Sequence, residues 1–252
     1  MIPIRFIVTG AAFAAAIFSF ASVAPAAPAR QVQTFETSAG PVRITPIYHA
    51  SLMIEAAGKI IYIDPARPAN FAGLPPADLV IITDIHPDHM DPGSIAQISK
   101  QDTQIFAPPA VVSTVTTASP VSNGETKTWS AWTIEAIPMY NIKRGPAPGQ
   151  LYHPKGRGNG YVLTYGGKRF YFSGDTENIP EMRALKNIYV AFVCMNLPYT
   201  MPPDEAAEAV KAFHPQIVIP YHYRGSDLSV FKRDLEGTGI EVRLLDWYPS
   251  SQ

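Results

Sequence analysis

The sequence predicts an α/β fold in which two β-sheets pack together and helices cover their outer faces. Short apolar stretches typical of strands recur along the chain, and segments with helical periodicity stand between many of them. The order is a run of strands, then alternating strands and helices, then a second run of strands and a second alternation. Because the second half repeats the first, we expect a duplicated layered unit within one domain.

In the first half, the apolar stretches are separated by glycine, proline and polar residues that favour turns. Pro65 stops the strand that ends at Asp64, and residues 79–82 are apolar without alternation, as expected for a strand buried on both faces. A helix should follow, with Asp91 as its N-cap and Pro92 in its first turn. The predicted elements are strands 42–47, 51–55, 59–64, 79–82 and 104–107, and helices 92–100 and 109–117.

In the second half, Gly166 and Gly167 separate two apolar stretches and indicate a hairpin. The connection over 141–159 is long, and loops of this length in a compact domain are usually functional. The helical segment 203–213 has one apolar face. The predicted elements are strands 131–138, 160–165, 168–172, 189–195, 216–220 and 241–245, and helices 180–186, 203–213 and 228–235.

Residues 1–29 are predicted to be a secretory signal peptide, which leaves a single domain at 30–252 and an exported protein, periplasmic or secreted. Arg5 provides a short positive region, residues 6–23 are apolar, and small residues up to Ala29 offer cleavage sites. The alternative is an uncleaved membrane anchor, because the apolar segment is about as long as a membrane span requires.

The charge balance limits the classes of partner. The chain has 20 basic and 21 acidic residues and no block of like charge, which argues against a nucleic-acid track or a polybasic membrane patch. We therefore expect a small-molecule substrate and no nucleic-acid partner, while membrane contact and oligomeric state stay open. The single cysteine, Cys194, allows no internal disulfide and lies in an apolar stretch typical of a core.

A dense group of potential metal ligands follows the apolar residues 79–82. Four of them fall within six residues: Asp84, His86, Asp88 and His89. In an extended chain the side chains of Asp84 and His86 point the same way and can hold one metal, whereas Asp88 and His89 point elsewhere and suit a second one. This ligand mixture favours zinc, with iron or manganese as other options. The alternative is a surface turn that caps the next helix, but Asp91 alone suffices for that.

Other polar residues fall at predicted strand ends or in loops. Strand ends that meet at one edge of a layered fold commonly form a site, so these residues are further candidates. They are His49, Asp64, His153, Asp175 and His222. His214, by contrast, lies at a helix end before Pro215, where a cation favours the helix dipole, and we expect a structural role for it.

The pattern Asp-x-His-x-Asp-His after a buried strand resembles the metallo-β-lactamase superfamily motif, His-x-His-x-Asp-His. Asp64, Ser173-Gly174-Asp175-Thr176 and Tyr221-His222 stand in the order of that family's other landmarks. The resemblance spans about residue 42 to the C-terminus and implies the αββα four-layer sandwich. Within the superfamily, Tyr48-His49-Ala50-Ser51 and Ile63-Asp64-Pro65 resemble the branch of ascorbate-6-phosphate lactonase-like and N-acyl-phospholipid phospholipase D-like hydrolases.

The resemblance also implies a set of ligands. Asp84, His86 and His153 would hold one metal. Asp88, His89 and His222 would hold the other, and Asp175 would bridge the two. Asp88 would also act in catalysis by orienting the attacking water.

Two positions depart from the family pattern. Asp84 stands where the family has its first histidine, which weakens or retunes the first metal position. Asn141 stands where a middle histidine is expected, so His153 is the favoured ligand and Asn141 would line the site. His49 and Asp64 are expected to contact substrate or to orient the ligands. The basic residues Lys143, Lys155 and Arg157 could bind an anionic substrate, but each alone is better explained as part of a solvated loop.

These features predict a zinc-dependent hydrolase that uses one or two ions and a metal-activated hydroxide on an ester, lactone or phosphodiester-type small substrate. The departures at positions 84 and 141 motivate an alternative, a non-catalytic metal- or ligand-binding exported protein that retains the fold. A lipid-active phosphodiesterase is a third possibility, which rests on the branch resemblance and on export.

Overall fold

The computed structural model describes residues 1–3 and 30–249 of the chain. The predicted signal peptide, 1–29, lies almost wholly outside the described residues and stays a prediction. Within the described ranges, none of the helices has the length and apolar character needed to cross a membrane.

Fourteen described strands form two mixed sheets of seven strands each. In the first sheet the strands lie side by side in chain order: β1 (Gln33–Phe35), β2 (Val42–Tyr48), β3 (Ser51–Ala56), β4 (Lys59–Ile63), β5 (Ala77–Ile81), β6 (Ser99–Ala107) and β7 (Ser119–Pro120). The second sheet also follows chain order: β8 (Thr126–Trp129), β9 (Trp132–Met139), β10 (Gly158–Tyr165), β11 (Lys168–Phe172), β12 (Val190–Cys194), β13 (Ile217–Tyr221) and β14 (Glu241–Val242).

The two sheets share one plan. Each begins with four antiparallel strands, β1 to β4 and β8 to β11. Each then continues with parallel strands, up to β7 and up to β14. This repetition confirms the duplicated layered unit and the α/β sandwich predicted from the sequence.

The first sheet is buried on both faces, as the unbroken apolar segment 79–82 predicts. Ile61 and Ile63 of β4 point into the main core between the sheets, whereas Tyr62 points to a second core on the outer face. The outer core also contains Ile95 and Ile98 of the first helix. Burying each large aliphatic side chain contributes about 1.5–3 kcal/mol, so both faces of the sheet hold its strands in register.

Five helices lie among the described residues, at Pro92–Ile98 (α1), Pro109–Val112 (α2), Pro180–Arg183 (α3), Pro203–Phe213 (α4) and Leu228–Asp234 (α5). Asp91 caps α1 as predicted, because its carboxylate accepts a hydrogen bond from the Ser94 backbone N–H at 2.7 Å. The apolar face predicted for α4 is buried in the main core, and the bounds of this helix match the prediction.

Several predicted boundaries were wrong. Helix α1 ends at Ile98 rather than at residue 100, because the backbone at Ser99 is extended and begins β6. Strands β1, β7 and β8 were missed, since they are short, polar edge strands without an apolar alternation. Sheet pairing, rather than local pattern, holds these strands in place.

Candidate metal centre

The candidate ligands meet between the two sheets. Asp64 and residues 84–89 follow the carboxyl ends of β4 and β5, while Asp175 and His222 follow β11 and β13. The two sheets are joined here by a hydrogen bond from the His222 N–H to the His49 carbonyl, 3.2 Å. His49, Asp64 and His222 all adopt positive φ angles, of 56°, 48° and 47°. Such conformations cost about 1–3 kcal/mol each and concentrate at functional sites.

Asp88, His89, Asp175 and His222 form one cluster, in which one potential ligand atom from each residue lies within 4.8 Å of the others. His89 Nε2 lies 3.3 Å from Asp175 Oδ2, and His222 Nδ1 lies 3.4 Å from Asp175 Oδ1. Asp88 Oδ2 lies 3.3 Å from His222 Nε2. We call this group the open cluster, because several of its buried atoms have no hydrogen-bond partner within the described ranges.

Buried atoms of the open cluster have no hydrogen-bond partner among the described residues. They are His89 Nε2, His222 Nδ1 and Asp175 Oδ1, and the adjoining His153 Nε2 shares this property. Buried polar atoms are almost always paired, because an unpaired one costs about 1–3 kcal/mol. Several unpaired atoms facing one carboxylate therefore fit a metal ion, and imidazole and carboxylate are suitable donors for it.

Asp64 orients one ligand of the open cluster. Its carboxylate accepts a hydrogen bond from His89 Nδ1 at 2.8 Å and from the Thr83 backbone N–H at 2.7 Å. With Nδ1 donating to Asp64 in this way, His89 Nε2 faces Asp175 and is the atom that would bind a metal ion. This carboxylate–histidine arrangement is the usual support for a metal ligand, and it agrees with the orienting role expected for Asp64.

The electrostatics of the open cluster favour a bound cation. Burial raises the pKa of Asp175, but the neighbouring His222 and His89 outweigh it and hold the pKa far below its usual range. Burial lowers the pKa of His89, yet the surrounding carboxylates, Asp175 foremost, raise it well above its ordinary value. Positive charge is thus strongly stabilised among these carboxylates, and a metal ion would displace the proton.

A second group, Asp84, His86 and His153, also has one potential ligand atom per residue within 4.8 Å of the others. His86 Nδ1 lies 2.9 Å from Asp84 Oδ2. Arg157, however, enters this group and hydrogen-bonds both carboxylate oxygens of Asp84, from Nε at 3.2 Å and from Nη2 at 3.0 Å. We call this group the filled cluster.

Asn141 holds His153 in place. Its Oδ1 accepts hydrogen bonds from the His153 backbone N–H at 2.8 Å and from His153 Nδ1 at 2.6 Å. Its Nδ2 donates to the buried carboxylate of Glu177 at 3.0 Å. His153 Nε2 consequently lies 3.2 Å from Asp175 Oδ2 and 3.9 Å from Asp84 Oδ2, between the two clusters.

His49 supports Asp88. Its Nε2 lies 3.2 Å from Asp88 Oδ2, and its Nδ1 lies 2.6 Å from the hydroxyl of Tyr248. Burial lowers the pKa of His49 to about 4, although its bond to Asp88 opposes the shift. The imidazole is therefore neutral at pH 7, which lets Nε2–H donate to the carboxylate while Nδ1 accepts from Tyr248.

Three residues of this arrangement were missed or undervalued in the sequence. Glu177 and Tyr248 carry no motif, and only their contacts reveal their roles. Arg157 was grouped with Lys143 and Lys155 as a solvated basic residue. Both lysines do pair outside the clusters, with Glu205 and Glu181, whereas Arg157 binds Asp84. The one sequence signal for this contact was Asp84 itself, because a carboxylate in place of the family's histidine adds a negative charge that a nearby cation can balance.

Comparison with known proteins identifies the family. The family model described as the beta-lactamase superfamily domain matches residues 43–222. The chain belongs to this superfamily.

Individual relatives agree with that assignment. A UPF0173 metal-dependent hydrolase of Methanopyrus kandleri is 28% identical over 223 residues, which cover 81% of this chain and 96% of the relative. The crystal structure of a provisionally assigned metal-dependent hydrolase of Parabacteroides distasonis is 40% identical, covers 86% of this chain and 99% of its own, and superposes with a TM-score of 0.81. Igni18, a metallo hydrolase of Ignicoccus hospitalis, shares the fold at 23% identity and a TM-score of 0.68, over 83% of this chain and 96% of its own.

These comparisons confirm the superfamily and the enzyme class predicted from the sequence, a metal-dependent hydrolase. The resemblance to the lactonase-like and phospholipase D-like branch stays a prediction, as does the role of each ligand.

Proposed function

We propose that the protein is a zinc-dependent hydrolase that directs a water molecule at an ester, lactone or phosphodiester-type bond of a small substrate. The observation that carries this proposal is the open cluster, where the unpaired atoms His89 Nε2 and His222 Nδ1 lie 3.3 and 3.4 Å from the buried carboxylate of Asp175. No packing requirement explains unpaired imidazole and carboxylate groups at this density.

The ligand set favours zinc over other metals. Imidazole nitrogens combined with carboxylates suit Zn²⁺, with Fe²⁺ or Mn²⁺ as other options for the same donors. When bound, such an ion lowers the pKa of a water molecule to about 7 and polarises the oxygen of a carbonyl or phosphoryl group.

Asp88 is the member of the open cluster that substrate and water reach. Its side chain is 43% exposed, whereas those of His89 and Asp175 are buried. Although burial raises the pKa of Asp88, the imidazoles of His89, His222 and His49 outweigh it and keep the carboxylate ionised. Asp88 therefore accepts a hydrogen bond from the attacking water and orients it, and the Nε2–H of His49 fixes the carboxylate for that task.

The substrate is expected to be small. The candidate ligands lie in a buried setting between two sheets, and a net charge of −1 offers no electrostatic guide for a nucleic acid. Arg157, whose side chain is 24% exposed, adds a positive charge beside the clusters. Such a charge suits a substrate whose reacting group gains negative charge during hydrolysis.

Metal analysis combined with a substrate panel tests the proposal. We expect the purified protein to contain zinc and to hydrolyse at least one ester, lactone or phosphodiester, and we expect His89→Ala to lose both properties. His214→Ala is the matched control, because this histidine caps α4, its Nε2 contacts the Thr238 carbonyl, and it lies before β13, at the opposite end of that strand from His222. Stoichiometric metal without turnover on the whole panel would favour the non-catalytic alternative instead.

We also propose that the protein is exported, on the basis of the apolar segment and the small residues that precede residue 30. Cell fractionation and the mass of the mature N-terminus test this. A mature chain beginning near residue 30 in the periplasm or medium is expected. A full-length chain in the membrane fraction would support the uncleaved anchor.

A further inference from the structure

The guanidinium of Arg157 contacts the residues of the filled cluster that a bound metal cation would contact. Besides its two bonds to Asp84, its Nη2 lies 3.3 Å from His86 Nε2. Asp84 itself is fully buried, while the side chain of Arg157 is 24% exposed. The guanidinium thus forms a bidentate ion pair with the buried carboxylate of Asp84, the strongest geometry available to an arginine and a carboxylate.

Arg157 occupies lone pairs of Asp84 and His86 that a metal ion bound by these residues would use. Both oxygens of Asp84 accept hydrogen bonds from Arg157, and His86 Nδ1 lies 2.9 Å from Asp84 Oδ2. Because an arginine N–H can only donate, the contact of Arg157 Nη2 with His86 Nε2 uses the lone pair of that nitrogen. Neither Asp84 nor His86 has an atom among the unpaired buried groups, in contrast to His89, His222 and Asp175.

The backbone is built to bring Arg157 to this position. The Asn159 N–H donates to the Thr83 carbonyl at 2.9 Å, which ties the start of β10 to the residue before Asp84. Gly158, the residue between Arg157 and Asn159, lies close to the backbone of Thr83. A Cβ added to it would stand 2.9 Å from the Thr83 carbonyl oxygen and 3.3 Å from Asp84 Oδ1. A glycine is needed for this approach, and the Arg157 N–H closes a turn with the Pro154 carbonyl at 3.2 Å.

A divalent ion and the guanidinium are alternatives at this position. Asp84 supplies one negative charge, which the guanidinium of Arg157 already offsets. A metal ion bound by Asp84 and His86 would lie within a few ångströms of that guanidinium, where like charges repel strongly. The aspartate in place of the family's histidine matches an arginine better than a histidine would, since only a carboxylate accepts its two parallel N–H groups.

We propose that Arg157 takes the place of one metal ion, so that the protein binds a single divalent cation, in the open cluster, and the guanidinium supplies the second positive charge. In this arrangement Asp84 and His86 are partners of Arg157 rather than metal ligands, and His153 adjoins the single ion. The inference rests on the metal binding proposed above but concerns only the number of ions, which is measured without any turnover.

Counting metal ions tests the inference. Apoprotein is dialysed against buffered micromolar Zn²⁺, and bound zinc per chain is measured by mass spectrometry. We expect one equivalent for the wild type and for Arg157→Lys, which keeps the charge, and two equivalents for Arg157→Ala, with the second bound more weakly. Lys155→Ala, a neighbouring basic residue that pairs with Glu181, is the control and should keep one equivalent.

Two results would overturn the inference. Two equivalents of zinc in the wild type would mean that the guanidinium does not exclude the second ion. One equivalent in both the wild type and Arg157→Ala would mean that Arg157 is not what limits the protein to one ion. Cobalt substitution guards against a folding defect, because the visible spectrum of Co²⁺ in the open cluster should be retained in Arg157→Ala. One equivalent without hydrolysis on the substrate panel would contradict the proposed function and leave the count of ions intact.

Discussion

The open and filled clusters differ in what their lone pairs contact. Both combine carboxylates with imidazoles, and both hold their potential ligand atoms within 4.8 Å. In the open cluster the atoms facing Asp175 have no hydrogen-bond partner among the described residues, whereas in the filled cluster Asp84 is bound by a guanidinium. Proximity of ligand-type residues is therefore a weaker indication of a metal than the absence of competing donors.

The two clusters should respond very differently to loss of one histidine, and this is the largest effect we expect. His89→Ala removes a ligand of the open cluster, so metal binding and hydrolysis should fall by more than about 100-fold, the upper range seen for outer-shell partners. His86→Ala removes one hydrogen bond of Arg157 and no ligand of the open cluster, so the loss of metal binding and of hydrolysis should stay near or below about tenfold. Metal content and kcat/KM are measured for both variants. Equal losses in His89→Ala and His86→Ala would contradict the distinction between the open and filled clusters.

The hydrogen bond that orients His89 in the open cluster can be weakened without replacing a potential metal ligand. In Asp64→Asn the amide keeps one acceptor but sets an NH₂ group against the donors of His89 and Thr83. Metal affinity should fall by about 10–100-fold, the range for outer-shell partners of metal ligands. Competition titration with a zinc chelator gives the affinity, and Asp102→Asn, an exposed position on β6, is the control. An unchanged affinity would mean that His89 does not depend on Asp64.

The support of His153, between the clusters, comes from a loop rather than a sheet. The buried Glu177 carboxylate accepts the backbone N–H groups of residues 142–144 and the Asn141 amide, at 2.8–3.2 Å. Glu177→Gln would oppose two of these donors with an NH₂ group, which should cost about 1–3 kcal/mol of stability. Denaturant unfolding measures it, with the exposed Glu208→Gln as the control. A change below the error of that measurement would show that the loop is held by other contacts.

The smallest expected effect concerns the attachment of the same loop to α4. Arg144, with Lys143, lowers the pKa of Glu205 to about 2 from its ordinary value of 4.5. Because the folded-state pKa is the lower one, the stabilisation is present above about pH 4.5 and is lost as the pH falls towards 2. We expect about 1–2 kcal/mol after allowing for screening of this partly exposed group.

Comparison of Glu205→Gln with the wild type checks this pH dependence. The difference in unfolding free energy should be largest above about pH 5 and should shrink towards pH 2.5. Glu236→Gln, an exposed acidic residue, should show no such difference. A difference that is constant with pH would assign the effect to packing of the side chain rather than to its charge.

The open cluster was largely predictable, and the filled cluster was not. Asp88, His89, Asp175 and His222 each follow an apolar strand, so their convergence could be expected from strand order and from the family motif. Arg157 could not be assigned in the same way, because it lies in a loop with other basic residues and pairs with a residue 73 positions away. The same holds for Tyr248, which reaches His49 across 199 positions.

The sequence by itself determined the repeated strand order, the burial of residues 79–82 on both faces, the apolar face of α4 and the density of ligand-type residues after β5. These features follow from local periodicity and composition, which each segment carries with it. Only the tertiary structure decided that Arg157 fills the Asp84 cluster while the atoms around Asp175 stay unpaired. The reason is physical: a lone pair is free or occupied according to which distant donor the fold brings to it, and no local pattern contains that information.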